Sequence, residues 1–101
     1  MTLPSGFVLP AARIAQICRR CHVKELSVFG SHARGDARPE GDIDFLVEFQ
    51  PGAPVGLIEY AALMRELSTL LGRKVDLVSK KALEPLLRDP VLREVRLAYE
   101  A

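Results

Sequence analysis

Asp42-Ile43-Asp44-Phe45-Leu46-Val47-Glu48-Phe49 alternates with a period of two. Ile43, Phe45, Val47 and Phe49 fall on one side, and Asp42, Asp44, Leu46 and Glu48 on the other, as in a strand with one face in a core. Residues i and i+2 of a strand point the same way, about 6.7 Å apart. Two carboxylates so placed repel each other unless a cation lies between them. Hard oxygen ligands suit Mg²⁺. Such a pair can bracket two metal ions about 3.5–4 Å apart, the spacing of phosphoryl-transfer sites. Ile43 and Phe45, anchored in the core, would hold both carboxylates rigidly.

Working outward, Asp76 interrupts the apolar run Val75 to Val78. Aspartate is disfavoured in strands, so its presence asks for a reason. If this strand lies beside Asp42–Phe49, Asp76 joins the other two carboxylates on one face. One aspartate alone in a half-exposed strand is ordinarily just solvated; the pair plus a third favours a metal site. Upstream, Glu25 to Phe29 reads as a short strand that runs into Gly30-Ser31. A glycine there lets the backbone approach a ligand. The Ser31 hydroxyl, the N–H groups of a short helix over residues 31–34 and the fork of Arg34 can hold phosphate oxygens. Taken alone, this stretch is equally well a glycine turn with a surface arginine.

The remaining elements follow from helical periodicity. Pro10, Ile14, Ile17, Cys18 and Cys21 set a first helix, preceded by an irregular lead-in over residues 1–9. Leu57, Ala61, Met64, Leu67 and Leu71 mark a helix closed by Gly72. Leu83, Leu86 and Leu87 suggest another helical segment. Asp89-Pro90 reads as a cap and first-turn proline opening a last helix through Val91, Val95 and Tyr99. The expectation is one α/β (α+β) domain over residues 1–101: a small mixed three-stranded sheet with helices packed on one face.

Composition narrows the function. Lys plus Arg number 14 against 13 Asp plus Glu, a net charge of +1, so bulk-charge binding to nucleic acid is not expected. Two cysteines make no disulfide framework. No apolar run approaches the roughly 20 residues of a membrane helix, and the N-terminus lacks an export signal; a cytoplasmic protein is expected. Cys18-Arg19-Arg20-Cys21-His22 spells a haem-attachment pattern, but its cysteines continue the apolar helix face and read as small buried hydrophobes. Arg34-Gly35-Asp36 is a coincidental adhesion tripeptide. His32 reads as a loop residue near the site without an essential role. Arg73-Lys74 and Lys80-Lys81 read as solvated surface that could also touch phosphates. The leucines of the last two helices are compatible with a docking surface, hence with homo- or hetero-oligomers.

Gly30-Ser31-His32-Ala33-Arg34-Gly35-Asp36 followed by Gly41-Asp42-Ile43-Asp44-Phe45-Leu46-Val47 resembles the signature of the minimal nucleotidyltransferase (MNT) antitoxins of the DNA polymerase beta-like superfamily. The likeness runs from about Cys18 to Ser79, with Asp76 where the third carboxylate of that family is expected. Gly41 departs from it, replacing the serine usual before the first aspartate. The resemblance implies the nucleotidyltransferase fold and a Mg²⁺-dependent reaction, with two ions held by Asp42, Asp44 and Asp76. It implies a nucleoside triphosphate, ATP above all, gripped by Gly30, Ser31 and Arg34, and transfer of its monophosphate to a hydroxyl. For so short a chain it further implies a protein acceptor, a tyrosine of a HEPN-type RNase toxin that the chain silences as antitoxin. The alternatives are a non-catalytic module that masks a partner by contact, and a transferase acting on a small molecule or RNA.

Overall fold

The computed structural model describes residues 1–38, 40–83 and 85–101, and only the backbone over 85–89. The elements are α1 (Ala11–Arg20), β1 (Val23–Phe29), α2 (Ser31–Arg34), β2 (Ile43–Phe49), α3 (Leu57–Leu71), β3 (Val75–Ser79), a 3₁₀ turn (Lys80–Ala82), α4 (Pro85–Glu94) and β4 (Arg96–Glu100). The sheet order is β3-β2-β1-β4. β2 pairs antiparallel with β1 and parallel with β3, and β4 pairs antiparallel with β1.

The period-two reading of β2 holds: Ile43, Phe45 and Val47 are buried in one core with Leu26 and Val28 of β1 and Val75 and Leu77 of β3. Ile14, Ile17 and Cys18 of α1 and Leu63 and Leu67 of α3 close that core from above. The inward stripe of α3 is shifted from the expected one. Leu57 and Ile58, in the first turn of α3, are 84% and 83% exposed, while Leu63 and Leu67 carry the packing. Gly72 ends α3 in the left-handed region at φ 64°, as its position suggested. The Tyr60 hydroxyl ties α3 to β3 by donating to the Leu77 carbonyl. Tyr60→Phe is therefore expected to lower unfolding stability by about 1 kcal/mol, the worth of one such bond, read from the midpoint of urea unfolding.

Two expectations need correction. The sheet has four strands, not three. The last helix does not open at Asp89 and run through Tyr99; α4 already spans Pro85–Glu94, with Pro90 inside it, and the chain then reverses into β4. The reason is tertiary: without β4, one edge of β1 would present unpaired N–H and C=O groups. The side chains of Leu86, Leu87 and Asp89 lie outside the described residues, as does Pro39. Residues 1–9 are irregular as expected, apart from one isolated bridge, but they are packed against the domain. Thr2 bridges Val8, and Leu3 and Leu9 are buried in the core.

Cys18 lies on the core side of α1, fully buried, and burial together with neighbouring Cys21 pushes its thiol up to about 12 from 9.0. Both cysteines are free. A thiol raised in the fold adds stability that is complete below pH 9 and is lost as pH climbs from 9 towards 12. At pH 8 a maleimide should label the folded protein at Cys21 well before Cys18, and at both equally in denaturant; peptide mass mapping distinguishes the two, and rapid native labelling of Cys18 would contradict its burial.

Candidate active site

The start of β2 carries Asp42 and Asp44, and the parallel register sets Asp44 directly beside Asp76 of β3. On the other flank Asp44 faces Phe29, the residue before Gly30. The fold thus brings Asp42, Asp44, Asp76 and Gly30 to one end of the sheet. Asp44 is half-buried, and its carboxyl is held above the ordinary 3.8 by burial first, then by the charges of Asp76 and Asp42 and a hydrogen bond shared with Asp76. Lys74 offers Asp42 a weak counterion, Nζ to Oδ2 at 3.8 Å, in an exposed pair.

These are the features of a site short of positive charge. Three carboxylates supply only hard oxygen donors, which suit Mg²⁺. Among the described residues no three metal-ligating side chains already converge on one point. A divalent ion would have to turn the side chains towards itself, which the half-exposed rim allows. The donor chemistry and the charge repulsion therefore fit the ion, with side-chain rotation as a requirement.

Gly30 adopts φ 75° and ψ −152°, a region open to glycine almost alone. Its carbonyl accepts from Ala33 and Arg34 N–H at 3.1 and 3.0 Å, which starts α2. A Cβ at this position would collide with Asp44 Oδ2. Glycine is thus needed twice, for its dihedrals and for the space that Asp44 occupies. Ser31, half-buried, opens α2 beside it. Arg34 is placed otherwise than a phosphate clamp requires: it is exposed and donates to Asp36 and Glu94 at 3.3 and 3.2 Å.

His32 is no loop residue. It sits in α2 and is 2% exposed. Its Nε2 lies 3.3 Å from the Gly41 carbonyl and its Nδ1 2.8 Å from Ser5 Oγ. A carbonyl can only accept, so Nε2 carries the proton and Nδ1 accepts from the Ser5 hydroxyl. His32 therefore pins the turn before Asp42 to the N-terminal segment. Sequence reading missed this link because nothing in Pro4-Ser5-Gly6 says that the turn folds back under α2. A cavity of about 510 Å³ between Phe49, Val55, Leu57 and Tyr60 lies at the far ends of β2 and β3 and includes none of the three aspartates. Among the described residues no helix is long and apolar enough to cross a membrane.

Residues 11–98 match the nucleotidyltransferase domain family. Protein adenylyltransferase MntA of Thermococcus cleftensis is 41% identical over 95 residues, 94% of either chain. A solved structure of a candidate minimal nucleotidyltransferase superposes with a TM-score of 0.73 at 42% identity, covering 85% of this chain and 86% of that one. A chain from the complex of the tri-AMPylated Shewanella oneidensis HEPN toxin with MNT antitoxin superposes with a TM-score of 0.65 at 20% identity, over 90% of this chain and 70% of that one, a likeness of fold.

Proposed function

Since the chain belongs to the nucleotidyltransferase domain family and is an enzyme of that class, we propose that it moves AMP from ATP to a tyrosine hydroxyl of a HEPN-type toxin and so acts as its antitoxin. Residues 1–101 act as one domain in this reading. The observation that carries it is the pairing of Asp44 with Asp76 across β2 and β3, with Gly30 packed against Asp44. The likeness to MntA over 94% of both chains supports protein as the acceptor, and the fold shared with the toxin-bound antitoxin supports a HEPN partner.

Asp42, Asp44 and Asp76 would hold Mg²⁺, in two ions. Bound there, the metal supplies neutralisation of triphosphate charge. Gly30 leaves room for the triphosphate against the backbone, and the Ser31 hydroxyl and N–H orient it. Arg34 joins them only after releasing Asp36 and Glu94. Asp76 takes the proton of the acceptor hydroxyl, whose ordinary pKa for tyrosine is about 10. The hydroxyl oxygen then bonds to the α-phosphorus as the bond to pyrophosphate breaks. Incubation with ATP, Mg²⁺ and a HEPN partner encoded beside the gene should add one or more adenylyl masses to that partner. A complex that forms without any added mass would leave masking by contact as the function.

A further inference from the structure

Beside the carboxylates lies a second site of opposite charge. Three loops meet where β2 and β3 begin: the N-terminal turn with Ser5 and Phe7, the segment after α2 with Arg38, and the α3–β3 connection with Arg73. Together with His32 they enclose a cavity of about 240 Å³. Arg73 lies over the Phe7 ring, its Cζ 5.6 Å from the centroid. That ring in turn meets His32 edge-on at 5.6 Å. The Arg73 Nε is buried and has no hydrogen-bond partner. A buried, unsatisfied donor on a charged group is costly, and stacking on Phe7 supplies no acceptor for it. Among the described residues neither Arg38 nor Arg73 forms an ion pair, a state they share with most of the chain's other cations; what sets Arg73 apart is its buried Nε. The cavity therefore gathers two unneutralised guanidinium groups and lacks an acceptor.

We propose that this cavity is a phosphate-binding subsite, in which Arg73 and Arg38 bind the oxygens of a phosphoryl group. Guanidinium forks match phosphate geometry, and the Phe7 platform keeps Arg73 from folding away. The subsite lies at the same end of the sheet as the aspartates, though none of them lines it: Lys74, next in chain to Arg73, reaches Asp42, and His32 holds the carbonyl just before Asp42. The phosphoryl group can come from two sources, the terminal phosphates of the nucleotide or the phosphodiester of an acceptor already carrying AMP. Only the assignment of sources rests on the proposed function; phosphate binding itself does not.

Thermal shift titrations without divalent metal test the site, using pyrophosphate for the first source and an AMP-tyrosine peptide for the second. At least one probe should stabilise the wild type saturably, and Arg73→Gln and Arg38→Gln should each weaken it about tenfold or more, as expected for a charged hydrogen bond. Arg73→Lys, which keeps the charge but loses Nε, should fall between. Asp44→Asn should retain probe binding even where transfer is lost, so failure of the transferase reading leaves this result intact. The probe that responds identifies the source. No saturable response to either probe, or one that both Gln variants retain in full, would overturn the subsite. Arg38→Gln leaves the Arg73–Phe7 stack in place, so the test stands if Arg73→Gln fails to fold.

Discussion

Replacing Asp42 and Asp44 together by Asn should lower AMP transfer by at least about 10³-fold, the loss typical when preorganised charge stabilisation is removed, while the protein stays folded. Asparagine keeps the volume and one acceptor oxygen of each side chain but removes the negative charge. The lesion is therefore electrostatic rather than steric. Stability should respond the opposite way for Asp44→Asn alone. In the fold Asp44 is half-buried beside two like charges, and its carboxyl is raised above 3.8. Asparagine escapes both penalties, so the variant should melt no lower than wild type at neutral pH without metal. The sign in pH follows. A carboxyl raised in the fold disfavours the folded state above its folded pKa, and the penalty vanishes once pH falls below the unfolded value near 3.8. Any advantage of Asp44→Asn should thus shrink on acidification. A folded double variant that still transfers AMP at wild-type rate would remove these aspartates from the mechanism. One that silences the partner without transferring AMP would point to binding alone.

The carboxylate cluster was legible because β2 obeys a strict local rule. Alternation places Asp42 and Asp44 on one side whatever the rest of the chain does, and Asp76 stands out against an apolar strand. Their adjacency was only conditional, since it depends on β3 pairing parallel to β2 through α3, and the register Asp44↔Asp76 supplies that condition. What stayed hidden was non-local. β4 reads as helix because Val91, Val95 and Tyr99 keep helical spacing, and only the open edge of β1 recruits Arg96–Glu100 into the sheet. His32 and Ser5 stand 27 positions apart, and no periodicity connects them. Arg34 matches a motif in sequence, yet in the fold it meets Asp36 and Glu94. Residue type indicated what Arg34 could bind, but its nearest carboxylates occupy it in the structure.

Gly30→Ala should damage both stability and turnover, and the two effects have separable causes. The dihedrals φ 75° and ψ −152° are strained for any residue with a Cβ, at a cost of about 1–3 kcal/mol. The added methyl also lands on Asp44 Oδ2. That oxygen belongs to a side chain, so it can yield, but only by swinging away from the position beside Asp76. Misplacement by about 1 Å in an active site can cost about 10²-fold in rate, so AMP transfer should fall by about that factor. A double-mutant cycle on unfolding free energy divides the causes. With Asp44→Ala in the background, the collision disappears and only the backbone strain remains. Gly30→Ala should then cost less than it does in the wild type, leaving a coupling within the range of about 0.5–3 kcal/mol seen for residues in contact. Equal costs in both backgrounds would mean that the methyl never meets Asp44, and the need for glycine at this turn would be one of backbone conformation alone.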